Sequence, residues 1–157
     1  MTQPLRKITI DDIYLSPLKR KRIRREDGSE YMQEISKEIR PCGCFLLEAV
    51  AGAMAHRRLF SIGEIAGYLQ ADVRELSSAI HLLTGMLPNE FLNEYRLREA
   101  LEWLRCTDLS IGEIARRGGW KSGSTFSRKF SEKYGVSPAD YRYRNQYRDF
   151  RHWFEWE

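Results

Sequence analysis

The stretch Ser61-Ile62-Gly63-Glu64-Ile65-Ala66 recurs unchanged as Ser110-Ile111-Gly112-Glu113-Ile114-Ala115, 49 residues downstream. The likeness continues past it. Leu76 and Ile80 correspond to Phe126 and Phe130, and Gly85 and Pro88 to Gly135 and Pro138 after one extra residue in the second copy, so the chain carries a duplicated unit. Each copy opens with Ser-x-x-Glu, in which the serine caps the third helical N–H and the glutamate reaches back to the serine N–H. Helices are therefore predicted to start near Ile62 and Ile111.

In the second copy Gly119 tolerates a positive φ and allows a sharp turn. Ser122 or Ser124 then caps a second helix with Phe126 and Phe130 inward, and Gly135 ends it. The first copy has Gln70 at the turn, Asp72 as N-cap with Glu75 three residues on, Leu76 and Ile80 inward, and Gly85 at the stop. Both units read as helix-turn-helix motifs. Between them Phe91, Leu92, Tyr95, Leu97, Leu101 and Leu104 keep helical spacing without Gly or Pro, which predicts one long joining helix.

Further helices are expected over residues 29–40, with Tyr31, Ile35 and Ile39 on one face, from Phe45 to near His56, and after Pro138 through the tail. Strand signals are confined to residues 7–10 and are weak. The predicted fold class is all-α: two helix-turn-helix motifs joined by a long linker helix. It divides into a basic arm and helix (1–44), a tandem helix-turn-helix domain (45–144) and an aromatic helical extension (145–157).

With 157 residues, 42% of them hydrophobic, the chain suffices for one domain or two very small ones. No stretch approaches the roughly 20 apolar residues of a membrane span, the start Met1-Thr2-Gln3-Pro4-Leu5 lacks a leader pattern, and three cysteines suggest a reducing compartment. No membrane association and a cytoplasmic location are expected. Charge is uneven: residues 1–40 hold 10 Lys and Arg against 7 Asp and Glu, residues 41–108 hold 6 against 9, and residues 109–144 hold 8 against 3. Two basic blocks thus flank an acidic one, which suits a polyanion or simply solvated faces.

These residues are similar to the DNA-binding domain of the AraC/XylS family of transcription regulators, over residues 45–144. The resemblance is strongest in Asp108 to Ala115, Gly119-Trp120, Phe126-Ser127-Arg128-Lys129-Phe130, Gly135-Val136-Ser137-Pro138 and Tyr141-Arg142, with Trp120 where phenylalanine is usual. The joining segment Tyr95-Arg96-Leu97-Arg98-Glu99-Ala100 is also family-like. The first copy departs at Gln70, Asp72 and Ser78. Only some 44 residues precede the match, too few for the β-rich effector domain of larger members, and in this the chain resembles the stand-alone MarA and SoxS type with an unfamiliar N-terminal arm.

The resemblance implies double-stranded DNA as partner, with the second helix of each motif in a major groove, about 34 Å apart if both engage. In the second motif the residues left outward are Lys121, Ser122, Gly123, Ser124, Thr125, Ser127, Arg128 and Lys129, with Arg128 suited to forking onto guanine or gripping phosphate. Arg116, Arg117 and Lys133 suit phosphate. The equivalent first face is Val73, Arg74, Ser77, Ser78 and His81, where Arg74 is the only fixed cation beside Asp72 and Glu75, so the second motif is expected to dominate specificity.

The run Lys19-Arg20-Lys21-Arg22 with Arg24-Arg25 is either an arm along DNA or a solvated stretch, and the aromatic tail is expected to pack on the N-terminal helix. Cys42, Cys44 and Cys106 lack zinc-site spacing, and no nucleophile elbow, phosphate loop or carboxylate pair is visible, so neither enzyme activity, metal nor cofactor is expected. The acidic first copy and aromatic tail leave a second reading open, an interaction module of the same fold that pairs with another regulator or RNA polymerase.

Overall fold

A computed structural model describes residues 6–157; the start of the chain, read above for the absence of a leader, lies outside the described residues. Two compact units emerge, one of residues 6–15 with 38–95 and one of residues 16–37 with 96–157. These units divide the chain elsewhere than the three-part partition read from the sequence.

The first unit holds α1 (Ile10–Ile13), α2 (Phe45–Ala55), α3 (Ile62–Leu69) and α4 (Val73–Thr84) with the start of α5 (Pro88–Cys106). Ser61 Oγ accepts the Glu64 N–H at 3.1 Å and starts α3. Gln70 supplies the turn in the left-handed region at φ 55°, a conformation glycine adopts more readily. Asp72 then caps α4 by accepting from the Arg74 and Glu75 N–H groups at 2.9 and 3.1 Å. Leu47, Val50, Met54, Ile65, Leu76, Ile80, Phe91, Leu92 and Tyr95 form its core. Each such large side chain contributes about 1.5–3 kcal/mol by leaving water.

The second unit takes the rest of α5, then α6 (Ile111–Arg117), α7 (Gly123–Tyr134) and α8 (Pro138–Asn145). Ser110 Oγ accepts from Glu113 N at 3.0 Å, Ser122 Oγ from Thr125 N at 3.1 Å and Ser137 Oγ from Asp140 N at 3.1 Å. Each helix is thus opened by its own serine. Leu97, Ala100, Leu104, Ile114, Ala115, Trp120, Phe126 and Phe130 form the core, joined by Leu18. Phe130 carries rings on both sides, with Phe126 at 5.9 Å, Tyr134 at 4.8 Å and Tyr141 at 5.7 Å. Both predicted helix-turn-helix motifs and the joining helix are present in a mostly helical structure.

A small sheet is the addition. Strands β1 (Arg20–Arg24), β2 (Glu30–Glu34) and β3 (Phe154–Glu155) lie in the order β2-β1-β3, with Arg24 opposite Glu30 and Lys21 opposite both Gln33 and Phe154. The helix expected over residues 29–40 is therefore absent: β2 takes residues 30–34, and residues 35–40 are neither helix nor strand. A tight turn decides it: Gly28 sits at φ 87°, and the Asp27 carboxylate accepts the N–H and hydroxyl of Ser29 at 2.8 and 2.6 Å. Residues 7–10 form no strand, and Ile10 instead begins α1. The tail is not one helix either: α8 stops at Asn145, a short α9 (Phe150–Trp153) follows, and β3 closes against β1. The aromatic tail consequently packs on a hairpin rather than on an N-terminal helix.

Candidate nucleic-acid interface

The second motif turns on three consecutive residues. Gly118 ends α6, and a Cβ there would stand 2.9 Å from the Trp120 ring. Gly119 takes φ 71°, and Trp120 N–H bonds back to the Ala115 carbonyl at 2.9 Å. Below them the Arg96 guanidinium lies 3.8 Å from the Trp120 ring centroid while its Nε–H donates to the Gly118 carbonyl at 2.8 Å. Burial lowers this guanidinium to about 10, against the opposing pull of Glu99, and it stays charged at neutral pH.

With Phe126 and Phe130 fully buried, α7 presents the opposite face to solvent. Lys121, Ser122, Ser124 and Arg128 are exposed, and Gly123, Thr125, Ser127 and Lys129 are half-exposed. The second-motif residues named from the sequence therefore share one helix and its entry. Neither Lys121 nor Arg128 has an ion pair or hydrogen-bond partner among the described residues, whereas Lys129 stands 3.8 Å from Glu132. The Ser122 and Thr125 hydroxyls, 3.0 Å apart, are engaged with each other in the cap.

On α4, Arg74 and Ser78 are exposed and Ser77 is half-buried. Arg74 has no side-chain partner among the described residues, and the carboxylates of Asp72 and Glu75 flank it in sequence. Exposed Val73 and His81 complete this face, and Leu82 beside it is 72% exposed.

Other cations are already engaged. Arg116 and Arg117 both reach Glu113, at 2.5 and 3.2 Å, and hydrogen bonding from Arg116 holds that carboxyl below its ordinary range. The return bond expected from Glu113 to the Ser110 N–H is thus replaced by these two arginines. In the hairpin, Arg24 pairs with Glu30 at 2.8 Å, Arg20 stands 3.6 Å from Glu34 and from Glu155, and Arg22 donates to the His152 carbonyl at 2.8 Å. Most of the basic run is hence a strand in which Arg20, Arg22 and Arg24 stand within 4 Å of acids, while Arg25 lies over the Tyr31 ring and Lys19 and Lys21 have no side-chain partners among the described residues.

Two arginines that brace the second motif were not among the residues singled out from the sequence. Arg96 and Arg142 belong to the family-like segments but carry no local signal, because their partners are backbone carbonyls 22 to 39 residues away. Among the described residues no three His, Cys, Asp or Glu side chains gather for a metal, and no helix is long and apolar enough to cross a membrane.

The model of the family described as "Helix-turn-helix domain" matches residues 65–144, half of the chain. The chain belongs to this AraC-type family of transcription regulators. AraC-type relatives include the transcriptional activator RhaR of Enterobacter sp. (strain 638), 30% identical over 101 residues, which are 64% of this chain and 35% of RhaR. The activator RhaS of Klebsiella pneumoniae (strain 342) is 34% identical over 79 residues, 50% of this chain and 28% of RhaS. The chain thus spans about a third or less of these relatives. Among solved structures, the DNA-binding domain of AdpA in complex with a target DNA has a TM-score of 0.58 and 31% identity, covering 63% of this chain and 90% of that one. The C-terminal domain of AraT, a response regulator from Geobacillus stearothermophilus, has a TM-score of 0.60 and 28% identity, covering 66% and 88%.

Proposed function

We propose that this AraC-type chain is a sequence-specific regulator of transcription that binds double-stranded DNA through both helix-turn-helix motifs, with α7 supplying most of the base readout. The observation that carries this is the contrast between the two outward helix faces. On α7 and its entry, Lys121 and Arg128, without partners among the described residues, stand among small hydroxyl side chains that permit close approach to base edges. On α4 the one arginine sits between Asp72 and Glu75 in a short span, a composition suited to backbone contact that positions without specifying. Lys121, Ser122, Gly123, Ser124, Thr125, Ser127, Arg128 and Lys129 form the proposed reading surface, and Arg74, Ser77 and Ser78 the positioning one. The AdpA domain, solved on its target DNA, supports DNA as the partner.

Selection from a random duplex pool, followed by salt titration on the selected and on random DNA, tests the reading. A shared motif and a steep fall in affinity with salt support it. A second reading, docking onto another regulator or RNA polymerase, is favoured by Val73 and Leu82, 44% and 72% exposed on α4. A flat salt response with no enriched motif would select that alternative.

A further inference from the structure

We infer that Arg96 is the positioning residue for the proposed reading helix: it sets the entry angle of α7 by clamping the α6–α7 turn, without touching DNA itself. This rests on the DNA-binding reading for its consequence but not for its geometry.

The turn is held from one side by its own backbone, through Gly119 N–H to the Arg116 carbonyl at 3.0 Å and Trp120 N–H to the Ala115 carbonyl at 2.9 Å. Arg96 holds it from the other. Its Nε–H takes the carbonyl of Gly118, the C-cap of α6, where carbonyls left over by the helix carry partial negative charge. Its flat face covers the Trp120 ring at 3.8 Å, and that ring is pressed from its edge by Gly118, where nothing larger than a hydrogen fits. Trp120 in turn meets Phe126 of the first turn of α7, with centroids 5.8 Å apart. The path from Arg96 through Trp120 to Phe126 therefore fixes where α7 begins. Lysine cannot replace arginine here, since it has neither a planar face nor an Nε–H in that fork. Glu99, buried on the same helix, supplies the opposing charge.

The full chain is compared with Arg96→Lys, Arg96→Met and Trp120→Phe. Amide hydrogen exchange at Gly119 and Trp120 should accelerate at least tenfold in Arg96→Met and by less in Arg96→Lys. Gln70 and Ala71, at the matching turn of the first motif, should keep their rates. On DNA selected by the parent chain, Arg96→Met should lose at least fivefold in discrimination over random duplex with its salt slope unchanged. Trp120→Phe, which keeps a ring for Arg96 to cover, should lose less. Unchanged exchange at the turn overturns the inference, as does uniform acceleration throughout α6 to α8, which would mark general stabilisation only. A salt slope that falls by about one unit in Arg96→Met but not in Arg96→Lys would make Arg96 a phosphate contact instead. Should the parent chain prefer no duplex, the DNA-binding reading fails, and the exchange rates alone decide the role of Arg96.

Discussion

The Arg142 guanidinium on α8 donates to the Leu109 carbonyl at 2.5 Å, and the same group reaches the Trp103 and Leu104 carbonyls at 3.2 Å each. One side chain thereby satisfies the end of α5 and the loop into α6, groups that a helix terminus leaves without partners. Arg142→Met should cost about 2–4 kcal/mol, because charge-assisted bonds to half-buried carbonyls are lost together. Urea unfolding measures this, and a midpoint equal to that of the parent chain would contradict it.

Gly118→Ala and Gly112→Ala form a matched pair in one helix-turn-helix motif. At Gly118 the new Cβ meets Trp120 at 2.9 Å and the Ile114 carbonyl at 3.4 Å, while at Gly112 it meets nothing within 4 Å. The first substitution should destabilise by about 1–3 kcal/mol through overpacking. The second should be neutral or stabilise by up to about 1 kcal/mol, as alanine loses less backbone entropy in a helix. Thermal melts of both variants check this, and equal shifts would contradict it.

The Glu30 carboxyl accepts from Arg24 at 2.8 and 3.0 Å and lies 2.8 Å from His152 Nε2, and hydrogen bonding from Arg24 holds it below its ordinary value. A carboxyl lowered in the folded state contributes stability that is present above its unfolded value, about 4.3, and lost as pH falls through the folded one. Acid titration of the melting temperature should therefore show a fall below that value that is shallower in Glu30→Gln. Identical acid profiles would contradict the pairing.

Cys106 is buried, and burial with the nearby Glu102 charge pushes its thiol up to about 12. Cys42 and Cys44 are half-exposed. Since the thiolate is the reactive form, a disulfide reagent at mildly alkaline pH should modify Cys44 and Cys42 in the folded chain and Cys106 only after denaturation. Equal rates at all three thiols would contradict this core packing.

The motif caps are readable from sequence because they are local: Ser61, Asp72, Ser110 and Ser122 each bond to an N–H two or three residues ahead. Phe126 and Phe130 are readable as core from their spacing of four. The hairpin is hidden because Tyr31, Ile35 and Ile39 mimic a helical face, while the Asp27-Gly28 turn that overrides them is only two residues long. β3 is hidden for a different reason. Its register against Arg20 and Lys21 joins the two ends of the chain, and no local pattern encodes such pairing. The outward face of α7 is legible as a set of residues, but the pairing of Arg116 and Arg117 with the one Glu113 carboxylate becomes visible only in three dimensions.

The most direct test of the account is a base-by-base substitution scan of the selected DNA, read with the parent chain, Arg128→Ala and Arg74→Ala. Strong base preference should be confined to one half-site. Arg128→Ala should weaken that site by about 1–3 kcal/mol and relax preference there, and Arg74→Ala should weaken all sequences alike while lowering the salt slope by about one unit. Equal preference in two half-sites, with Arg74→Ala relaxing one of them, would contradict the asymmetry and make α4 a reading helix in its own right.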